Sequence, residues 1–143
     1  MRFWDASAII PLCINEENSR TVRGLVSEDG GMVAWWGSSI ECFSALARLR
    51  REGLINTAEE DMARNIIEIL RASWTEILPG EEIRSIAGRL LLNHPLKAAD
   101  SLQLAAAIIW AEKSPSLHPF VCFDNRLREA ARKEGFMPLP GQN

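Results

Sequence analysis

Five aspartates stand beside 14 glutamates in the 143 residues of this chain. Three of the five fall where the sequence pattern ends a strand or starts a helix. Asp5 closes Arg2-Phe3-Trp4, Asp124 closes Phe120-Val121-Cys122-Phe123, and Asp100 lies in the first turn of a long apolar helix. Glu41 lies in the first turn of the helix expected after Met32 to Trp36. In a parallel sheet at least Asp5, Glu41 and Asp124 point to one edge, and such sheets bind ligands at the carboxyl ends of their strands. Carboxylates gathered in a small volume repel one another. The gathering persists where a cation binds it or where some of the acids stay protonated. Oxygen ligands with no His or Cys among them select Mg2+ or Mn2+. The same positions also suit helix capping. Ser38-Ser39-Ile40-Glu41 has the form of a capping box, with Glu41 closing on the Ser38 amide. Asp124 can cap the last helix, Asp100 can face a helix dipole, and Asp5 or Ser7 can cap the short helix that follows them.

Short apolar strands and longer helical patterns must position these acids. Arg2 to Asp5 reads as a strand, Ala8 to Cys13 as a short helix with Pro11 in its first turn, and Glu16 to Ser27 as a second helix. Met32 to Trp36 is apolar throughout, which fits a strand buried on both faces. Ser38 to Arg51 is a helix stopped at Gly53. Thr57-Ala58-Glu59-Glu60 opens another as a capping box, running to about Ser73. Thr75 to Leu78 is a strand, Glu81 to Leu92 a helix, and Lys97 to Lys113 a helix apolar nearly all round. Phe120 to Phe123 is a strand, Asn125 to Glu134 a helix stopped by Gly135, and Phe136 to Leu139 an edge strand. The alternation implies an α/β fold with a mainly parallel sheet, in one domain spanning residues 1–143.

The composition is that of a globular protein, 47% hydrophobic and 24% charged. The longest apolar stretch, Leu104 to Ala111, is too short to span a bilayer. Asp5 stands where a secretory leader needs an apolar core, so a cytoplasmic protein with no membrane partner is expected. The net charge of −3 speaks against a protein that coats nucleic acid but not against an enzyme that cuts it. Arg outnumbers Lys by 13 to 3. Guanidinium suits phosphate contacts, and codon bias explains the same excess. Cys13, Cys42 and Cys122 sit among apolar residues and read as reduced core residues.

Four segments together resemble the PIN-domain family. Arg2-Phe3-Trp4-Asp5-Ala6-Ser7-Ala8 is similar to its opening strand followed by D-x-S. Ser39-Ile40-Glu41 is similar to its central helix start. Leu96 to Ala107 is similar to its L-x-x-x-D segment with three alanines. Phe120 to Leu127 is similar to its final strand followed by x-x-D-x-x-L. The resemblance covers essentially the whole chain, in order, and is nearest to the VapC-type toxins of toxin–antitoxin pairs. One position departs: Cys122 stands where the family often has Thr or Ser, a hydroxyl that would support the acidic pocket.

The resemblance implies a three-layer α/β/α sandwich and a metal-dependent endoribonuclease. Asp5, Glu41, Asp100 and Asp124 would hold one or two Mg2+ or Mn2+ ions, with Asp5 and Asp100 as main ligands. Asp124 and Glu41 would each be a further ligand, a water-mediated contact or a base. Ser7 would supply a hydroxyl to a metal-bound water or to Asp5, and hydrolysis would leave a 5′ phosphate. RNA would need cations around the acids. Arg48, Arg50 and Arg51 on one helix, and Arg126, Arg128, Arg132 and Lys133 on another, are the candidates, with Arg48, Arg51, Arg126 and Arg128 placed first. A solvated helix face with ion pairs explains the same residues. Trp35 and Trp36 face opposite sides of a strand, so at most one can stack on a base; packing against helices explains both. The resemblance also implies a small antitoxin partner and a homodimer, for which the helix Thr57 to Ser73 and its neighbour offer an apolar face that core packing equally explains. A HAD-type phosphatase would need D-x-D where this chain has Asp5-Ala6-Ser7. A receiver domain would need an adjacent acid pair there. A silent PIN-type binding module and a housekeeping RNA-processing nuclease are the remaining alternatives.

Overall fold

The computed structural model describes residues 1–141. Its strands are β1 (Arg2–Trp4), β2 (Met32–Trp35), β3 (Thr75–Ile77), β4 (Pro119–Val121) and β5 (Met137–Leu139). The helices are α1 (Ala6–Cys13), α2 (Ser19–Glu28), α3 (Ser38–Arg51), α4 (Thr57–Ser73), α5 (Glu81–Asn93), α6 (Ala98–Trp110) and α7 (Asn125–Glu134). The strands form one sheet in the order β3-β2-β1-β4-β5, and every pairing is parallel. Pro138 lies on the edge strand β5, where a missing N–H is tolerated.

Strand alternation divides the core. Phe3, Val33, Trp35 and Phe120 face α5, α6 and α7. Trp4, Met32, Ala34 and Val121 face the opposite way, onto α1 to α4. Helices therefore cover both faces, giving the three-layer α/β/α arrangement that the family resemblance implies. The near-continuous apolarity of α6 follows from its place: Leu104 to Ile108 are all buried. Among the described residues no helix is long and apolar enough to cross a membrane.

Several local expectations need correction. The helix α1 starts at Ala6 because Asp5 caps it, so Pro11 lies in its interior and cannot serve the Ser7 carbonyl. The helix α2 starts at Ser19, whose hydroxyl accepts from Glu16 N at 2.8 Å and holds the preceding residues in a turn. The capping box of α4 is built by Asn56 with Glu59, one residue ahead of the Thr57 motif. Asn is the stronger cap, and here it outcompetes Thr. The helix α6 ends at Trp110; Glu112 and Lys113 follow with φ of +55° and +64°. Trp36 lies beyond β2 and is 53% exposed, while Trp35 is buried. The stops at Gly53 and Gly135 are as expected, with φ of +76° and +107° at the ends of α3 and α7.

Candidate active site

The chain crosses the carboxyl ends of β1, β2 and β4 at the places where the acids stand. Asp5 follows Trp4, the last residue of β1, and caps α1 by accepting the Ser7 N–H on Oδ2 at 3.1 Å. Asp124 follows β4 and caps α7, accepting from Leu127 N on Oδ1 at 2.9 Å. Glu41 and Asp100 sit in the first turns of α3 and α6. All four line one cleft of about 770 Å³.

The capping and site readings coexist for the two cap residues. Each uses one carboxylate oxygen as a cap, and among the described residues Asp5 Oδ1 and Asp124 Oδ2 receive no hydrogen bond. The capping-box reading of Glu41 is corrected. Gly37 is the N-cap of α3 and makes no side-chain bond. A Cβ at residue 37 would come 2.5 Å from Trp35 Nε1, so glycine lets that indole pack beneath the start of α3. Glu41 turns instead to Gln103, whose amide nitrogen donates to Oε2 at 3.0 Å.

Ser7 and Cys122 hold Asp5. The Ser7 hydroxyl donates to Asp5 Oδ2 at 2.5 Å and accepts from Phe123 N at 3.0 Å, joining the ends of β1 and β4. The Cys122 thiol lies 3.5 Å from Asp5 Oδ2 and 3.6 Å from the Asp124 carbonyl, so a weak donor stands where the family's hydroxyl is expected. Ser7→Ala strips Phe123 N–H of its acceptor and Asp5 of its strongest donor. The expected loss is about 2 kcal/mol, read as a lowered urea midpoint; a wild-type midpoint contradicts that role.

Electrostatics follow from burial. Asp5 is 4% exposed, and desolvation raises its pKa against the lowering effect of Ser7 and Cys122. Desolvation pushes Glu41 up to about 7, opposed by Gln103 and aided by Asp5 and Asp100. Asp100 is raised by desolvation and then by Asp124; the Lys97 backbone N–H, the Lys97 ammonium and Arg126 oppose the rise. These acids resist full ionisation together.

The cleft wall also carries Arg48, Lys97 and Arg126. None of them enters a salt bridge among the described residues. Arg51 and Arg128 do not line the cleft. Arg128 donates instead to the carbonyls of Cys122 and Pro140 at 2.9 and 2.8 Å, and Arg50 and Arg132 pair with Glu60 and Glu129. Lys97 and Gln103 are the functional candidates that sequence reasoning passed over. Lys97 had a signal, since it stands three residues before Asp100 at a helix start. Gln103 had none, because its partner lies 62 residues away.

The donor set fits a hard divalent cation: four carboxyl groups with no nitrogen or sulfur among them and, among the described residues, Asp5 Oδ1, Glu41 Oε1 and Asp124 Oδ2 free of hydrogen bonds. Among the described residues no group of three or more His, Cys, Asp or Glu side chains is placed to hold a metal ion together. Mg2+ does not need one, since it keeps several waters and is commonly held by one or two carboxylates.

The architecture of the described residues, seven helices on both faces of a five-stranded parallel sheet, is a PIN-like fold. In solved structures that fold is shared with the crystal structure of FitAcB from Neisseria gonorrhoeae, at a TM-score of 0.63 and 18% identity over 92% of this chain and 94% of that one. At that identity the likeness is one of fold. No protein-family model matches the chain, and no curated protein matches it in sequence.

Proposed function

We propose that the chain is a Mg2+- or Mn2+-dependent endoribonuclease, the toxin of a type II toxin–antitoxin pair, with a small antitoxin as partner and a homodimer as its assembly. One observation carries the catalytic reading: four acids share one cleft with three cations on its wall, and none of the seven enters a salt bridge among the described residues. The sequence motifs and the PIN-like fold support it, and the toxin, antitoxin and homodimer assignments rest on the motifs.

Asp5, Asp100, Asp124 and Glu41 would hold one or two ions. When bound, such an ion lowers the pKa of a water and offsets charge developing on the phosphodiester. The chain's own residues do the rest. Ser7 and Cys122 fix the direction of Asp5, leaving its Oδ1 toward a ligand. Glu41, with Oε2 taken by Gln103, keeps Oε1 to hold or release a proton near neutral pH. Arg48 on α3 and Lys97 and Arg126 at the starts of α6 and α7 bind phosphates on either side of the one being cut. A strand with splayed bases meets such a wall more readily than a duplex does.

The rim is tested by salt dependence in the Asp5→Asn background, which binds without cutting. For single-stranded RNA each phosphate contact adds about 0.7 to the slope of log K against log salt. Arg48→Ala, Lys97→Ala and Arg126→Ala should each lower the slope by about that amount. Arg84→Ala, on an exposed residue paired with Glu81, should leave it unchanged. Equal slopes for all four variants would remove RNA from the reading.

A further inference from the structure

Gln103 lies in α6 three residues beyond Asp100 and is 0% exposed. Its amide nitrogen donates to Ser38 Oγ at 2.9 Å and to Glu41 Oε2 at 3.0 Å. An ionised carboxylate only accepts, so with Glu41 ionised the NH2 group faces it and the carbonyl oxygen turns away. That oxygen, Oε1, meets no donor among the described residues. A buried amide with half its capacity unused disfavours the fold. The helix around it is apolar, with Leu104 to Ile108 all buried, and gives the amide no packing reason to be there.

What the amide supplies is a link. It ties α6, which carries Asp100, to the first turn of α3, which carries Glu41. The helix α3 does not hold Glu41 itself, because its N-cap Gly37 makes no side-chain bond and the capping box is absent. The Gln103 bond is the one that the Glu41 carboxylate receives among the described residues. Ser38, also 0% exposed, takes the second amide hydrogen and fixes the rotation of the NH2 group.

The geometry points to Gln103 as a positioning residue that fixes the Glu41 carboxylate against the Asp100-bearing helix. It touches no reacting atom and acts through Glu41. The inference deepens the nuclease reading and rests on it.

Gln103→Met keeps the length and volume of the side chain and removes the amide. The metal-free melting temperature should fall by no more than about 6 °C, since removing a half-satisfied amide and packing a methionine offset part of the cost of leaving Ser38 Oγ and Glu41 Oε2 without that donor. The kcat for RNA should fall about tenfold with KM unchanged, or Mn2+ affinity by calorimetry should fall about tenfold, as for groups that orient ligands. In a Glu41→Ala background the same substitution should change Mn2+ affinity less than about twofold, because the group it positions is gone. Gln103→Asn, which keeps the amide but not its reach, gives the same pattern and replaces the methionine variant if that one does not fold. Equal losses in both backgrounds alongside a large drop in melting temperature mark a merely structural residue and overturn the proposal. So does a Gln103→Met protein with wild-type kcat and Mn2+ affinity. Wild-type protein that takes Mn2+ but cuts no RNA refutes the nuclease reading, while the Mn2+ cycle still judges Gln103. Wild-type protein that does neither refutes both.

Discussion

Asp5→Asn should lower metal-dependent RNA cleavage on the order of 10³-fold, the rate equivalent of about 4 kcal/mol of lost charge stabilisation, and leave the fold in place. Asp5 has two jobs that this substitution separates. As a cap, it needs one oxygen to accept Ser7 N–H and Ser7 Oγ–H. Asn supplies that oxygen and is as good a cap as Asp. As a ligand, it needs a negative charge, which Asn lacks. Burial also raises the pKa of Asp5, so the neutral amide relieves a strained ionisation. The melting temperature at pH 8 should therefore equal or exceed that of wild type. Asp5→Ala differs, losing the cap as well, at about 1 kcal/mol of stability. If Asp5→Asn cuts RNA within tenfold of the wild-type rate, Asp5 is a helix cap and nothing more.

The metal-free protein should lose stability as pH rises from about 5 to 8, by about 5 °C in melting temperature, and divalent metal should restore it. The sign comes from the raised acids. Glu41 titrates at 4.5 when unperturbed and at about 7 in the fold. Between those values the native state keeps a proton that the unfolded state has released, so stability falls as pH rises. The contribution is fully present below 4.5 and lost as pH passes about 7. Asp5 and Asp100 are raised from 3.8 and act in the same direction. Glu134 acts oppositely: although its burial favours the neutral form, bonds from His94 and Arg89 hold its pKa below 4.5. It is ionised throughout the window and does not mask the trend. A divalent ion binds the native state and needs ionised ligands. The rise in melting temperature with Mn2+ should therefore be larger at pH 8 than at pH 5.5. A melting temperature flat or rising from pH 5 to 8, with a metal increment independent of pH, contradicts a cluster of crowded acids.

Much of the candidate site is legible in the sequence, because the features that place Asp5, Asp100 and Asp124 are local. Each stands beside a short apolar strand or begins a helix, and period and capping preferences reveal both. What was not legible depends on contacts across the chain. Glu41 fits a capping box on paper, but Gly37 takes the cap position so that Trp35 can pack beneath it, and Gln103 arrives from α6 to claim the carboxylate. Arg128 carries the charge expected of a phosphate contact, but its guanidinium is committed to the Cys122 and Pro140 carbonyls. The sequence pattern puts the start of α1 at Ala8 because Pro11 reads as a first-turn residue, whereas the Asp5 cap sets the helix two residues earlier. The central strands β1, β2 and β4, by contrast, are legible despite their three or four residues, because their runs are mostly apolar and mostly buried; the more exposed edge strands β3 and β5 are marked by the turn residues and helices around them.

The most direct test is cleavage of a total cellular RNA pool, in which preferred sequences are represented, by wild-type and Asp5→Asn protein with Mn2+, with Mg2+ and with EDTA. The expected result is fragments with 5′ phosphates from wild-type protein in either metal, none in EDTA, and none from Asp5→Asn. Fragments that persist in EDTA, or equal cutting by Asp5→Asn, would contradict a carboxylate-held metal as the source of the activity.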